Sequence, residues 1–185
     1  MRWKGLVIIS VNGPQIIWMT GLSGAGKTTL AYAFQDVLKQ NNIPVVVLDG
    51  DEIRQELSRD LGFSSADRKE NLRRIAAVAK ILLSQGINVI VATIAPYRLD
   101  RYKIEQLFHS NYFTWVYVKC SLEECKRRDV KGLYDQVRLG LIDDFTGIQQ
   151  SYEIPNGYLT IDTEETKLGT GVLDLLHAFI NKTHR

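Results

Sequence analysis

The chain has 185 residues, 45% of them hydrophobic and 24% charged, proportions that suit a globular fold of one domain (1–185) with a substantial core. A formal net charge of +2 gives no broad field for nucleic acid, and no apolar run is long enough to cross a membrane, so a small-molecule ligand held by local Arg and Lys is expected. Cys120, Cys125 and three scattered histidines make no metal-binding pattern; the two cysteines read as free thiols of a reducing cytoplasm, which is the expected location.

Residues 1–14, "MRWKGLVIISVNGP", form an N-terminal arm, with an extra strand and a loose segment both open. The apolar stretch is too short for a signal peptide, and no small-residue cleavage site follows it. "QIIWMT" (Gln15 to Thr20) then predicts a buried strand. "TTLAYAFQDVLKQN" places Leu30, Ala33, Phe34, Val37 and Leu38 on one helical face. Between them stands "GLSGAGKTT", in which Gly21, Leu22, Ser23, Gly24, Ala25, Gly26, Lys27, Thr28 and Thr29 fit the spacing of a phosphate-binding loop. Its glycines let backbone N–H groups turn toward phosphate oxygens, Lys27 supplies charge at the β and γ phosphates, and Thr28 offers a hydroxyl to Mg²⁺.

"IPVVVLDGD" predicts a second buried strand running into an acidic turn. Asp49 suits the metal side of the site and Asp51 the attacking hydroxyl, and helix capping by Asp51 is the plain structural alternative. "SSADRKENLRRIAAVAKILLSQG" reads as a long helix with a stripe from Leu72 to Leu83, ending at Gly86. Arg68 and Asn71 share a face of it and suit joint recognition of an anionic, hydrogen-bonding ligand, whereas at least one of Arg73 and Arg74 is a solvated charge. Phe63 fits either the core or a stacking platform for a base.

"INVIVATIAP" predicts a third strand stopped by Pro96, followed by a short charged helix. "YFTWVYVKC" is a fourth strand, "SLEECKRRD" a helix capped by Ser121, "GYLTID" a fifth strand and "GVLDLLHAFINK" a closing helix. The polar, basic stretch over about 123–150 has the character of a lid, with Arg127, Arg128 and Lys131 able to face the triphosphate or simply solvent. Strands alternating with helices predict an α/β fold, a parallel five-stranded sheet flanked on both faces, with ligands at the strand carboxyl ends.

Taken together, "GLSGAGKTT", "LDGDEIR", "LGFSSADRKEN", "APYRLDR", "RDVKGLY" and "FTGI" resemble the adenylylsulfate kinases, in the family's order from Gly21 to about Pro155. The resemblance implies a P-loop NTPase fold, ATP with Mg²⁺, a homodimer, and phosphorylation of the 3′-hydroxyl of adenosine 5′-phosphosulfate. It implies that Phe63 and Phe145 sandwich the acceptor's adenine and that Arg54, Arg68 and Asn71 hold its phosphosulfate region, with Lys131 joining from the lid. Ile94, Ala95, Leu133 and Thr146 fall on the acceptor side and Arg127 on the ATP side.

The chain also departs from the family. Ile94-Ala95-Pro96 stands where many members have Ile-Ser-Pro, so the serine is missing, though direct in-line transfer needs no such residue. Gln149, Gln150 and Ser151 replace the usual Asp, any residue, Pro, in a loop expected beside the acceptor pocket, and a kinase without a fused sulfurylase segment is expected. Two rivals follow: a kinase of another nucleotide derivative, such as a cytidine diphosphate compound, and a nucleotide-binding regulator without turnover. Lys27, Thr28, Asp49 and Asp51, all intact, weigh against the second.

Overall fold

A computed structural model of the chain describes residues 13–182. Most of the expected N-terminal arm therefore lies outside the described residues. The elements run β1 (Ile16–Thr20), α1 (Lys27–Gln40), β2 (Val45–Asp49), α2 (Gly50–Glu56), α3 (Ser65–Ser84), β3 (Asn88–Ala92) and α4 (Arg98–Glu105). A 3₁₀ turn (Ser110–Tyr112), β4 (Phe113–Lys119), α5 (Leu122–Arg128), α6 (Leu133–Arg138), β5 (Leu159–Asp162) and α7 (Leu168–Lys182) complete the chain.

The five strands form one sheet in the order β2-β3-β1-β4-β5, with every pairing parallel. All of β1 and all of β3 are buried, as strands covered on both faces must be. Successive side chains point to opposite faces and divide the core in two. Ile17 and Met19 join α1 and α7 in one cluster, while Ile16 and Trp18 join α3 in the other. On the first face Phe34 of α1 meets Phe179 of α7 edge-on, their centroids 5.9 Å apart. Each such side chain contributes about 1.5–3 kcal/mol through burial. On the second, Trp18 packs at a tilt against Phe113 and Trp115 and donates its indole N–H to Thr93 Oγ1 at 2.8 Å.

Two short helices are additions to the sequence reading. The acidic turn after β2 is the start of α2, a helix with no buried residue. The stretch expected as a lid holds α6, and Tyr134, Val137 and Phe145 within it are buried in the core cluster beside α1. The region is thus anchored at its middle, with Val130, Leu139 and Leu141 exposed on either side.

Candidate active site

The phosphate loop leaves β1 at Gly21, where a Cβ would stand 2.4 Å from the Val118 carbonyl oxygen of β4; only glycine passes there. Gly24 takes φ +77°, and a Cβ on it would lie 3.0 Å from the Cys125 carbonyl oxygen. These contacts wedge the loop between β4 and α5. Gly26 precedes α1 and no side chain caps that helix, so its first-turn N–H groups have no side-chain acceptor, the arrangement that suits a phosphate. Gly21, Leu22 and Ala25 build the loop from behind: the Leu22 carbonyl accepts from Ala25 N–H, and Ala25 is fully buried.

Lys27 reaches back into this ring and donates to the Gly21 and Leu22 carbonyls at 2.9 and 2.7 Å. Burial brings its pKa down to about 8, against the opposing pull of Asp51 and other anionic neighbours. Thr28 Oγ1 donates to Asp49 Oδ2 at 2.7 Å. The other oxygen of Asp49 accepts from Asp51 N–H at 2.9 Å, so Asp49, and not Asp51, caps α2. The capping alternative weighed for Asp51 is thereby corrected: strand β2 ends at Asp49, whose carboxylate alone reaches the helix's first amides. Asp51 is left free to project from the first turn, 61% exposed, and is ion-paired with Lys131 from the α5–α6 connection.

Lys27, Thr28, Asp49, Asp51 and Lys131 all line one cleft of about 880 Å³, a volume suited to a nucleotide-sized ligand. Arg54, Phe63, Arg68, Asn71, Ile94, Ala95, Leu133, Phe145 and Thr146 line the same cleft. Phe63 is 54% exposed, with the Arg54 guanidinium 4.8 Å from its centroid. Phe145 is buried, edge-on to Tyr134 at 5.0 Å. One ring is therefore an open platform and the other a fixed wall. Arg68 donates to the Phe63 carbonyl, to Thr146 Oγ1 and to the Asp144 carbonyl, joining α3 to the segment around Phe145. Burial lowers the pKa of both Arg54 and Arg68. Asn71 is buried and its Oδ1 has no hydrogen-bond partner, an acceptor at the edge of the cleft.

Of the expected site residues, Ser23, Gly24, Gly26 and Thr29 also line the cleft, whereas Arg127 does not. Its guanidinium lies on Glu124 at 2.6 and 2.7 Å on the exposed face of α5. Arg128 pairs with Glu124 and donates to the hydroxyl and carbonyl of Thr163. The altered loop also points elsewhere: Gln149 Oε1 accepts from Phe145 N–H at 2.7 Å, and Gln150 Oε1 accepts from the Tyr97 hydroxyl at 3.1 Å. Neither glutamine lines the cleft. Tyr134 was missed by sequence reasoning; it lines the cleft, and its hydroxyl donates to the Ser23 carbonyl of the phosphate loop at 2.9 Å.

Thr28 and Asp49 present two hard oxygen ligands side by side, and among the described residues no group of three or more His, Cys, Asp or Glu gathers around a metal position. That sparse set fits Mg²⁺, which is held through one or two protein oxygens together with substrate phosphates.

A parallel sheet, a phosphate loop opening a helix, Asp49 and Asp51 at the junction of β2 and α2, and Arg54 and Arg68 lining the same cleft define a P-loop kinase. The family model described as adenylylsulphate kinase matches residues 13–161, and the chain belongs to that family. An adenylyl-sulfate kinase of Geotalea daltonii is 46% identical over 168 residues, 90% of this chain and 82% of the relative. A probable adenylyl-sulfate kinase of Bacillus subtilis is 52% identical over 140 residues, 76% of this chain and 71% of the relative. Among solved structures, the Mycobacterium tuberculosis APS kinase CysC, in complex with AMPPNP and APS, superposes with a TM-score of 0.84 at 37% identity. That match covers 89% of this chain and 96% of the neighbour. A gluconokinase from Sinorhizobium meliloti, at 19% identity and a TM-score of 0.61, shares the fold alone.

Proposed function

We propose that this protein transfers the γ-phosphoryl group of ATP to the 3′-hydroxyl of adenosine 5′-phosphosulfate, giving ADP and 3′-phosphoadenosine 5′-phosphosulfate. The observation that carries the reading is the single cleft, lined by Lys27, Thr28 and Asp49 and also by Arg54, Phe63, Arg68 and Asn71. It is supported by family membership and by the likeness to a kinase solved with AMPPNP and APS.

The loop amides and Lys27 hold the β and γ phosphates, and charged Lys27 offsets negative charge on the oxygens of the transferring group. Thr28 and Asp49 would hold Mg²⁺, which would supply further charge neutralisation to the phosphate oxygens. Asp51 orients the 3′-hydroxyl and takes its proton as the new oxygen–phosphorus bond forms and the bond to the ADP oxygen breaks. Its ion pair with Lys131 holds the lid residue at the reacting end, where an added positive charge favours the transition state. Phe63 and Phe145 flank the adenine, and Arg54 and Arg68 meet the phosphosulfate.

The segment over 123–150 acts as a lid hinged about the Tyr134 anchor, within a single domain. The protein works as a homodimer in the cytoplasm; among the described residues no helix is long and apolar enough to cross a membrane. Light scattering on the purified protein tests the dimer, and a monomer at catalytic concentration would remove it.

Coupled ADP release with adenosine 5′-phosphosulfate, a cytidine diphosphate derivative and adenosine monophosphate tests the acceptor. Turnover with the phosphosulfate alone is expected. Preference for either other acceptor would overturn the reading. The rival acceptor rested on Gln149–Ser151; Gln149 Oε1 accepts from Phe145 N–H, Gln150 Oε1 accepts from the Tyr97 hydroxyl, and neither glutamine lines the cleft.

A further inference from the structure

Arg101 is fully buried on α4, and among the described residues it makes no ion pair. A buried charge without a carboxylate persists only where dipoles surround it, and here they are backbone carbonyls. Nη1 donates to the carbonyls of Ala95 and Pro96, both at 2.8 Å, and Nη2 to that of Glu153 at 2.7 Å. Glu153 N–H in turn donates to the Pro96 carbonyl at 3.0 Å. Arg101 itself does not line the cleft.

One of the segments it joins lines the cleft directly, and the other leads back from Glu153, which does not line it, to residues that do. Ile94, Ala95 and Pro96 form the first; Phe145 and Thr146 stand at the start of the second, which runs on to Glu153. Ala95 holds φ +42°, a left-handed conformation that a residue with a Cβ adopts only when its surroundings fix it. Its carbonyl is fixed by Arg101 and more weakly by Thr20 Oγ1 at 3.3 Å. The strained Ala95–Pro96 stretch and the segment that follows Thr146 thus meet on one guanidinium.

We propose that Arg101 is a positioning residue for the acceptor: by holding the Ala95, Pro96 and Glu153 carbonyls it sets the separation of the two segments that receive adenosine 5′-phosphosulfate, without touching it. The inference rests on that reading of the acceptor. The three carbonyls lie outside the phosphate loop, so the effect falls on the acceptor and spares ATP.

Arg101→Gln and Arg101→Lys in the full chain test this. Each is measured for KM of both substrates, for kcat, and by calorimetric titration with adenosine 5′-phosphosulfate and, separately, AMPPNP. In Arg101→Gln the acceptor KM and Kd should rise about tenfold or more, with ATP KM and AMPPNP Kd within about twofold. Arg101→Lys, which keeps the charge and reaches fewer carbonyls, should fall between. Equal weakening of both substrates, or a lowered kcat with unchanged acceptor KM, would overturn the proposal. If Arg101→Gln shows no cooperative melting, the Lys variant decides by the same comparison. Failure of the unsubstituted protein to turn over the phosphosulfate overturns the acceptor reading instead; turnover with both variants unchanged overturns the role of Arg101 alone.

Discussion

Lys131, in the connection between α5 and α6, is ion-paired with Asp51 on the first turn of α2, 80 positions away along the chain. Both partners remain substantially exposed, so the pair contributes little to stability, about 0–1 kcal/mol, and its importance lies in where it places charge. Asp51→Asn should therefore melt like the parent and bind ATP with near-unchanged affinity, while turnover falls by about a hundredfold or more. A variant that keeps most of its rate in the ADP-release assay would remove Asp51 from the mechanism.

Lys27 gives a pH signature. Its pKa is lowered from 10.5 to about 8, so between those values the unfolded chain holds the proton that the folded chain has lost, and stability rises with pH across that window. Bound triphosphate favours the charged amine and works the other way. ATP affinity should be highest below about pH 8 and fall above it as neutral Lys27 must take up a proton on binding. Titration with AMPPNP across the window should show that fall, and Lys27→Met, weaker throughout, should show it flattened.

The left-handed backbone at Gly24 leaves no room for a side chain. Gly24→Ala adds a methyl group 3.0 Å from the Cys125 carbonyl oxygen at φ +77°, at a cost of about 1–3 kcal/mol. The loop would relieve the strain by turning its amides away from the phosphates. We expect a lower melting temperature together with an ATP KM raised about tenfold or more, while direct titration with adenosine 5′-phosphosulfate changes little.

Removing the hydroxyl of Tyr134 isolates its hydrogen bond. The ring of Tyr134→Phe should stay against Phe145, but the Ser23 carbonyl loses a donor, worth about 1 kcal/mol. ATP KM should rise about fivefold, with the melting temperature only slightly reduced. An unchanged KM would mean that α6 does not steady the phosphate loop.

The sheet was legible because its strands are apolar runs bounded by turn residues; Ile16–Thr20 and Asn88–Ala92 are buried along their whole length. The phosphate loop was legible because only glycine meets its steric demands. Helix α2 was not, since a helix without a buried face leaves no stripe to read. That Asp49 caps α2, and not Asp51, depended on where β2 stops, a boundary that tertiary pairing with β3 decides. Arg127 and Arg128 differ only in helix face: one meets Glu124 in solvent, the other also reaches Thr163 behind the phosphate loop. Tyr134 stood within the quoted "RDVKGLY" stretch, but its bond to Ser23 spans 111 positions and left no local mark.

Asp49 binds Thr28 with one oxygen and the Asp51 amide with the other, so a single carboxylate fixes the distance between donor and acceptor chemistry. The two functions cannot be tuned separately at that position: a change there misplaces the phosphate end and the hydroxyl end together. Arg68 bonds to Phe63, Thr146 and Asp144 and not to that carboxylate, so it and Phe63 carry no such double duty. A lineage exploring new acceptors could alter them step by step while the phosphoryl-transfer geometry stayed as it was, which makes the cleft's outer half the adjustable part of the enzyme and its inner half the gauge.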